Sequence, residues 1–349
     1  MNLPTSEGTV PYRALITGGT GFVGGHLAAE LVRRGHHVTV IDNMATGSLD
    51  NVAGLLDHPR FRVVVGDIVT DPVLDALVAV SDVVFHLAAV VGVELVVEDA
   101  LTTIQTNVLG TEAVLSAANR HGVKVMLAST SEVYGKLVSV PAREDDDVLI
   151  GPSRNSRWSY AASKLVDEFL ALAYHRQHDL PVVVFRLFNT VGPRQTGRYG
   201  MVIPRFVAAA VEGRPIPIHG DGLQSRSFLH VQDAVDGILR LADEPAAQGQ
   251  VYNIGGSVEI SIADLARRII EETGEYTTTR SELRFIPYDE AYAPGFEDIR
   301  RRVADTTKIA ELTGWRPTRS LSDIIGDVAA ATVTDRVVGP SLTSEVLAS

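Results

Sequence analysis

The sequence predicts an α/β protein with a doubly wound parallel sheet and a smaller, discontinuous α/β domain. Three observations indicate this fold class. A glycine-rich turn within residues 15–24 connects a short apolar run to helical sequence. Near-continuous runs of Val, Ile and Leu then alternate with helical patterns as far as residue 187, which is typical of parallel strands buried on both faces. From residue 189 the pattern changes to segments rich in Gly, Pro and Arg.

The elements follow in order from these patterns. Apolar runs predict strands at 14–16, 38–41, 62–68, 82–89, 123–128, 182–187 and 251–254, the last returning to the sheet. Helical patterns follow the glycine turn and cover 101–121, 160–176, 262–272 and 307–313. We therefore expect residues 10–188 to form the sheet domain, with a return near 228–256. Residues 189–335 should form most of the substrate-holding domain, and 336–349 a flexible tail.

Composition limits the classes of function. The 349 residues include 31 Lys and Arg against 43 Asp and Glu, and the net charge of −12 argues against a nucleic-acid partner. No cysteine is present, which excludes disulfides and thiolate catalysis. The first ten residues are polar and no apolar run approaches membrane-spanning length, so we expect a cytoplasmic protein without a membrane partner.

The glycine turn predicts a dinucleotide site of the Rossmann type. Its glycines fit two spacings, Gly19-x-Gly21-x-x-Gly24 and Gly18-x-x-Gly21-x-x-Gly24. Glycines let the backbone approach a pyrophosphate, and the N–H groups and dipole of the following helix favour its charge. The next apolar run ends in Asp42, which can accept hydrogen bonds from an adenosine ribose and would repel a 2′-phosphate. NAD is therefore the expected cofactor, in preference to NADP.

Other strand ends should lie in the same crevice, because ligands of such sheets gather at the carboxyl ends of the strands. Asp67 ends the third predicted strand, Ala88 and Ala89 end the fourth, and Ser129 follows the fifth. His86 also lies near a strand end, but no carboxylate is within sequence reach to make it a catalytic base. We expect a packed or hydrogen-bonded histidine there.

Tyr160 and Lys164 are the candidate catalytic pair. Their spacing of four residues places a phenol and an ammonium on one face of a helix. A tyrosine titrates near 10, but the Lys164 charge and a positive nicotinamide ring should both lower the pKa of Tyr160. The pair could then remove a proton from a sugar hydroxyl as hydride leaves the same carbon. Thr130 would hold the substrate oxygen beside Tyr160.

Together these motifs resemble the extended short-chain dehydrogenase/reductase family, which includes nucleotide-sugar epimerases, dehydratases and decarboxylases. The resemblance covers roughly residues 12–320. The motifs that carry it are 17–24, Asp42-Asn43, Asp67-Ile68, 86–89, Thr106-Asn107, 129–135, Tyr160/Lys164, 186–194, 220–228 and 314–317.

The resemblance implies roles for further residues. The implied NAD-binding set is Gly18, Gly21, Phe22, Val23, Gly24, Asp42, Asn43, Thr46, Gly47, Asp67, Ile68, Leu87, Ala88, Ala89, Thr106, Ser129, Tyr160 and Lys164. The implied nucleotide-sugar contacts are Ser131, Asn189, Thr190, Arg198 and Arg226, with a UDP-sugar as the expected substrate. A homodimer is also implied, because the helices at 101–121 and 160–176 are apolar on more than one face. No metal site is predicted.

The residues after Thr130 bear on the reaction. In the family's 4,6-dehydratases an Asp follows the catalytic Thr, whereas here Ser131 stands in that place. With Glu132, the segment Thr130-Ser131-Glu132 is similar to that of the UDP-glucuronate decarboxylases. Those enzymes use a 4-keto sugar to release CO₂ and then recycle NAD internally. Those enzymes carry an arginine near the chain end, and Arg302 is the best match, with Arg301 as the alternative. UDP-glucuronate decarboxylase forming UDP-xylose is thus the expected activity. A UDP-sugar 4-epimerase is the alternative, followed by an NDP-glucose 4,6-dehydratase and a non-catalytic nucleotide-sugar sensor.

Overall fold

A computed structural model describes residues 10–92, 99–137, 139–197, 201–291 and 299–338. Its centre is a parallel sheet of seven strands in the order β11-β6-β5-β4-β1-β2-β3. These strands are β1 Arg13–Thr17, β2 His37–Asp42, β3 Phe61–Val65, β4 Val83–His86, β5 Lys124–Thr130, β6 Val182–Leu187 and β11 Gln250–Ile254. The order reverses between β1 and β4, and the glycine turn follows β1 at that point. This is where a doubly wound sheet opens a crevice for a ligand.

Ten helices occur in the described parts of the chain. They are α1 Phe22–Arg33, α2 Val73–Ala79, α3 Ala100–His121, α4 Ser159–His178, α5 Val202–Val211, α6 Val231–Asp243, α7 Ile262–Glu272, α8 Tyr288–Ala291, α9 Thr307–Thr313 and α10 Leu321–Val338. Apolar residues of α1 and α6 pack on one face of the central sheet, and those of α2, α3 and α4 pack on the other. Both faces are covered, which explains why the strands are mainly apolar.

The second, smaller unit surrounds its own apolar core. Its short strands are β7 Thr190–Val191, β8 Ile216–His219, β9 Ser225–Ser227, β10 Leu229–His230, β12 Glu259–Ser261, β13 Leu283–Ile286 and β14 Arg301–Arg302. The core is formed mainly by α5, β8, α7 and α10. Strand β9 pairs with β12 on one side and with β14 on the other, and Arg302 lies beside Arg226 in this register. The arrangement brings two arginines that are 76 positions apart to one edge of the crevice.

The predicted fold class is confirmed, and several elements match closely. The strand at residues 250–254 returns to the sheet and pairs in parallel with β6, and the helices at 262–272 and 307–313 lie where the patterns predict them. The third strand is shorter than expected because Asp67 accepts the N–H of Val69 at 2.8 Å and turns the chain away from the sheet. Helices α2, α5, α6, α8 and α10 were not predicted.

The domain division stays a prediction. Trp315 is fully buried in the core of the seven-stranded sheet, although it follows most of the second unit in the chain. The last helix continues to Val338, so residues 336–338 are helical, and 339–349 lie outside the described residues. None of the helices in the described parts of the chain combines the length and apolar character needed to cross a bilayer.

Candidate active site

The glycine turn offers bare backbone to a ligand. Gly18 has φ +70°, and a Cβ there would lie 2.8 Å from the amide nitrogen of Ala88, so only glycine fits between the turn and the end of β4. A Cβ at Gly24 would overlap the carbonyl oxygen of Gly18. Gly21 is the N-cap residue of α1, and within the described residues no side chain caps the start of this helix. The first N–H groups of the helix are thus left for an anion such as a pyrophosphate.

The adenosine side of the crevice is formed after β2 and β3. Asp42 is buried and accepts the N–H of Thr20 at 3.0 Å and that of Met44 at 2.9 Å, which holds its carboxylate beside the glycine turn. A Cβ at Gly47 would lie 3.0 Å from Oδ1 of Asp42, so the turn through Thr46 and Gly47 closes over the same carboxylate. The Asn43 amide donates to Asp67 at 3.0 Å. These residues are brought together as expected.

Further predicted NAD residues are Leu87 and Ala88 at the end of β4, Thr106 on α3 and Ser129 in β5. The amides of Leu87 and Ala88 donate to the carbonyl and hydroxyl of Thr17 at 3.1 and 3.2 Å, which places this segment across from the turn. Thr106 is half-buried on α3. The Ser129 hydroxyl instead donates to Glu168 at 2.5 Å, and Glu168 also binds Arg186. A cofactor contact at Ser129 would therefore use its backbone.

His86 is a buried structural residue. Its Nδ1 lies 2.7 Å from the Thr17 hydroxyl and its Nε2 lies 3.0 Å from the Thr111 hydroxyl. Burial, aided by the charge of Lys164, lowers the pKa of His86 to about 3. The ring is neutral at physiological pH and both its nitrogens are engaged. This agrees with the packed histidine expected from the sequence.

Tyr160 and Lys164 lie in the first two turns of α4, directly under the end of β5. Tyr160 is hydrogen-bonded to the Thr130 hydroxyl. Lys164 is buried, and its Nζ lies 2.6 Å from Oδ2 of Asp167, which is fully buried. Burial first, and then the carboxylates of Glu132 and Asp167, raise the pKa of Tyr160, although the Thr130 hydrogen bond opposes them. The lowered pKa expected for Tyr160 is thus not found, because burial is the largest cause and the Lys164 ammonium is paired with Asp167.

Glu132 lies between two arginines. Its Oε1 accepts a hydrogen bond from Nη1 of Arg302, and its Oε2 lies 2.7 Å from Nη1 of Arg157. Arg302 also donates to the Ser131 hydroxyl at 3.3 Å. Burial would raise the pKa of Glu132, but the charges and hydrogen bonds of Arg302 and Arg157 outweigh burial and lower it to about 2. Glu132 is therefore a carboxylate at neutral pH.

The three consecutive arginines have different partners. Arg300 pairs with Asp221 at 2.8 Å, and Arg301 pairs with Glu259 at 2.7 Å, both at exposed positions. Among these three, Arg302 is the one that contacts Glu132, and Arg301, its neighbour in β14, has its side chain on the opposite face of the strand. The geometry therefore favours Arg302 over Arg301 as the arginine beside the reacting groups.

The predicted nucleotide-sugar residues lie mostly at the edge of the second unit. Asn189 has φ +26°, and its amide donates to the carbonyl of Ser227 at 2.8 Å, which ties the end of β6 to β9. Thr190 begins β7, and its hydroxyl is buried. Arg226 is buried in β9 and donates to the carbonyl of Ser225 at 2.8 Å. Arg198 lies outside the described residues.

Two residues beside the reacting groups were missed from the sequence. Arg157 lies in the segment 136–158, which does not match the family pattern, yet it precedes Tyr160 by three residues. Asp167 follows Lys164 by three residues on α4, a spacing at which helical side chains meet. Spacing to the catalytic pair was the signal that could have found both.

The comparisons with known proteins agree with this geometry. The family model described as GDP-mannose 4,6 dehydratase matches residues 15–328. The chain belongs to this family. Its resemblance to the extended short-chain dehydrogenases/reductases is thereby confirmed.

Relatives and solved structures in the family carry related names. A Bacillus cytotoxicus protein named UDP-N-acetyl-alpha-D-glucosaminuronate decarboxylase is 42% identical over 306 residues, which are 87% of this chain and 92% of the relative. UDP-glucuronic acid decarboxylase 4 of Arabidopsis thaliana is 35% identical over 305 residues, 87% of this chain and 65% of the plant protein. The structure of UDP-glucuronic acid 4-epimerase from Bacillus cereus, in complex with UDP-glucuronic acid and NAD, superposes with a TM-score of 0.80. It is 30% identical, and the match covers 92% of this chain and 99% of that one.

Proposed function

We propose that the protein is an NAD-dependent decarboxylase of a UDP-linked hexuronic acid, with UDP-glucuronate as substrate and UDP-xylose as product. The observation that carries this proposal is the largely enclosed Glu132–Arg302 pair beside Tyr160. The decarboxylase names of relatives at 35% and 42% identity support it.

NAD is the cofactor, as in the B. cereus epimerase complex. The fit rests on the bare turn at Gly18 and Gly24, the uncapped start of α1 and the carboxylate of Asp42. A dinucleotide held by these residues would supply a hydride acceptor for C4 of the sugar, from which the hydride could return.

The side chains of this protein move and hold the protons. Tyr160, hydrogen-bonded to Thr130, takes the proton of the sugar O4 as C4 becomes a ketone. The carboxylate at C6 is then β to that ketone, so the electrons of the C5–C6 bond can pass to the ketone oxygen as CO₂ leaves. Arg302 would hold the carboxylate in position for this step. At the end of the cycle Tyr160 returns its proton to O4, so a different donor must protonate C5. Glu132 is ionised and can only orient that donor.

A 4-epimerase remains the second candidate, because the solved epimerase shares the fold at 30% identity. An epimerase must turn the keto sugar over within the site before hydride returns. A decarboxylase must instead hold the sugar still, and a paired arginine and carboxylate beside Tyr160 favour the second behaviour.

The assay that separates these candidates is product analysis with NAD present. UDP-glucuronate, and in parallel its 2-acetamido analogue, should lose 44 mass units as CO₂ is released, since decarboxylation removes that molecule. An unchanged mass with inverted configuration at C4 would reject decarboxylation and support the epimerase.

We also infer that two copies of the chain associate through α3 and α4. Apolar side chains are exposed along both helices, including Leu101 at 67%, Leu109 at 50% and Phe169 at 63%. The two helices already pack side by side, with the Tyr174 hydroxyl donating to Glu112 at 2.8 Å. A second copy would cover this face. A cytoplasmic location stays a prediction.

A further inference from the structure

The charges of the Glu132 cluster do not balance. The cluster, as we define it, contains Arg157, Arg302 and Glu132. Arginine stays charged in proteins, and Glu132 is ionised, so the three side chains carry a net charge of +1. All three are largely enclosed, with side-chain exposures of 7%, 12% and 12%. An enclosed excess charge is costly unless a counter-charge arrives.

The two arginines of the cluster also have unused hydrogen-bond donors. Among the described residues, neither Nε of Arg157 nor Nε of Arg302 has a hydrogen-bond partner, and both atoms are buried. Each guanidinium has five donors, and Glu132 can occupy only part of the two sets. The cluster can therefore accept one further planar anion without losing its internal contacts.

The reaction places such an anion at this point. In a hexuronic acid only C5 separates the oxidised C4 from the carboxylate, so a sugar held with O4 at Tyr160 has its carboxylate close by. Glu132 is near enough to raise the pKa of Tyr160, and Arg157 precedes Tyr160 by three residues in the 3₁₀ turn Ser156–Trp158 that leads into α4. The substrate carboxylate would repel Glu132, so the arginines must accept it.

We propose that Arg157 is a specificity-determining residue that binds the carboxylate of the substrate together with Arg302. This inference rests on the proposed function. Arg157 is suited to the role because its position is held from two sides. Its guanidinium lies 5.2 Å from the centre of the Trp158 ring, and its backbone N–H donates to Asn155 at 3.2 Å.

The test compares two ligands that differ in the carboxylate. Binding of UDP-glucuronate and UDP-glucose is measured by calorimetry on NAD-loaded protein that carries Tyr160→Phe, which prevents turnover. Adding Arg157→Gln should weaken the binding of UDP-glucuronate roughly 10- to 100-fold. It should change the dissociation constant of UDP-glucose by less than about threefold. Arg154→Gln is the matched control, because it removes the same charge from an exposed position three residues earlier.

A second variant background distinguishes two roles of Arg157, which are direct contact with the substrate and support of the Glu132 side chain. Glu132→Gln removes the competing carboxylate, so it should bind UDP-glucuronate more tightly, and Arg157→Gln should still weaken binding in that background. Equal losses for both sugars, or a loss that vanishes in the Glu132→Gln background, would overturn the role of Arg157. Failure of the otherwise unaltered enzyme to release CO₂ would refute the proposed function instead, which keeps the two failures distinct.

Discussion

Nζ of Lys164 lies 2.6 Å from Oδ2 of Asp167, less than one helical turn further along α4. The pair is buried, so the lysine that should acidify Tyr160 has its charge compensated before any ligand arrives. Tyr160 accordingly has a raised pKa, from burial and from the carboxylates of Glu132 and Asp167. A bound NAD would supply a positive nicotinamide ring, whose charge would favour the tyrosinate.

Asp167→Asn should move the acidic limb of the pH profile of kcat to lower pH. Activity needs ionised Tyr160, and it falls as the pH drops below the pKa of that residue. The substitution removes one group that raises this pKa and releases the Lys164 charge, so both changes lower it. The other charged groups nearby are Glu132 and Glu168, which do not change, and His86 is neutral.

The control for this shift is Asp57→Asn, which removes an exposed carboxylate far from the crevice. It should leave the profile unchanged. Because Asp167→Asn leaves a buried lysine without its partner, NAD binding and the melting temperature must also be measured. An unshifted acidic limb in a folded, NAD-binding variant would contradict the role of Asp167.

Tyr160→Phe should lower kcat by a factor of about 10²–10⁴, because it removes the group that accepts the O4 proton. Thr130→Val should cost less, roughly tenfold, since it removes one hydrogen bond to the phenol. Both variants should bind NAD and the nucleotide sugar as the native protein does. Turnover is measured by CO₂ release and binding by calorimetry. Tyr160→Phe with native turnover would contradict its role as the base, whereas a native protein that binds both ligands without turnover would favour a non-catalytic nucleotide-sugar sensor.

Arg302→Lys and Arg301→Lys form a matched pair of neighbouring substitutions. Lysine cannot bridge Glu132 and a second carboxylate as a planar guanidinium can, so Arg302→Lys should lower the rate of CO₂ release about 100-fold. Arg301 is 56% exposed and bound to Glu259, so its replacement should change the rate less than about twofold. Equal losses from both variants would show that the assignment within the arginine triplet is wrong.

Asp42→Asn should weaken NAD binding by roughly tenfold or more, because a charged acceptor for the ribose hydroxyls is lost. The same change should weaken NADP binding less, since it also removes the repulsion of the 2′-phosphate. The neutral amide has one oxygen and can accept only one of the N–H groups of Thr20 and Met44, so the melting temperature of the variant must also be measured. Dissociation constants for both cofactors, measured by fluorescence, test the expectation. An unchanged ratio of the two would contradict it.

Phe169→Glu should convert a dimer into a monomer. Phe169 is among the most exposed apolar side chains on α4, and a charge there would be buried without a partner in the interface. Sedimentation velocity of the native protein and the variant gives the two masses. A native protein that sediments as a monomer would reject the interface.

The sequence predicts most of the fold because the apolar runs of the strands and the helical patterns between them are both clear around the buried sheet. The residues of β6 are apolar except for Arg186, and the predicted bounds of 182–187 are those of the structure. The helices α5 and α6 lie in a region where Gly and Pro loops dominate the pattern, so their short apolar faces were not recognised. Tertiary packing, rather than local propensity, specifies them.

The candidate site is predictable only where one motif carries several residues. Tyr160 and Lys164 follow from their spacing, and Thr130 and Glu132 from the end of β5. The contact between Arg302 and Glu132 joins residues that are 170 positions apart, and it depends on the pairing of β14 with β9. No local pattern contains such pairing. The compensation of Lys164 by Asp167 was within reach of a spacing argument, and its effect on Tyr160 required knowing that both side chains are buried.

The most direct measurement is proton NMR of the product formed from UDP-glucuronate in D₂O with catalytic NAD. Hydride leaves and returns to C4 within the site, whereas C5 loses CO₂ and gains its hydrogen from a donor that exchanges with solvent. We expect UDP-xylose with one deuterium at C5 and none at C4. A six-carbon product without deuterium, or deuterium at C4, would contradict decarboxylation driven by Tyr160 in this crevice.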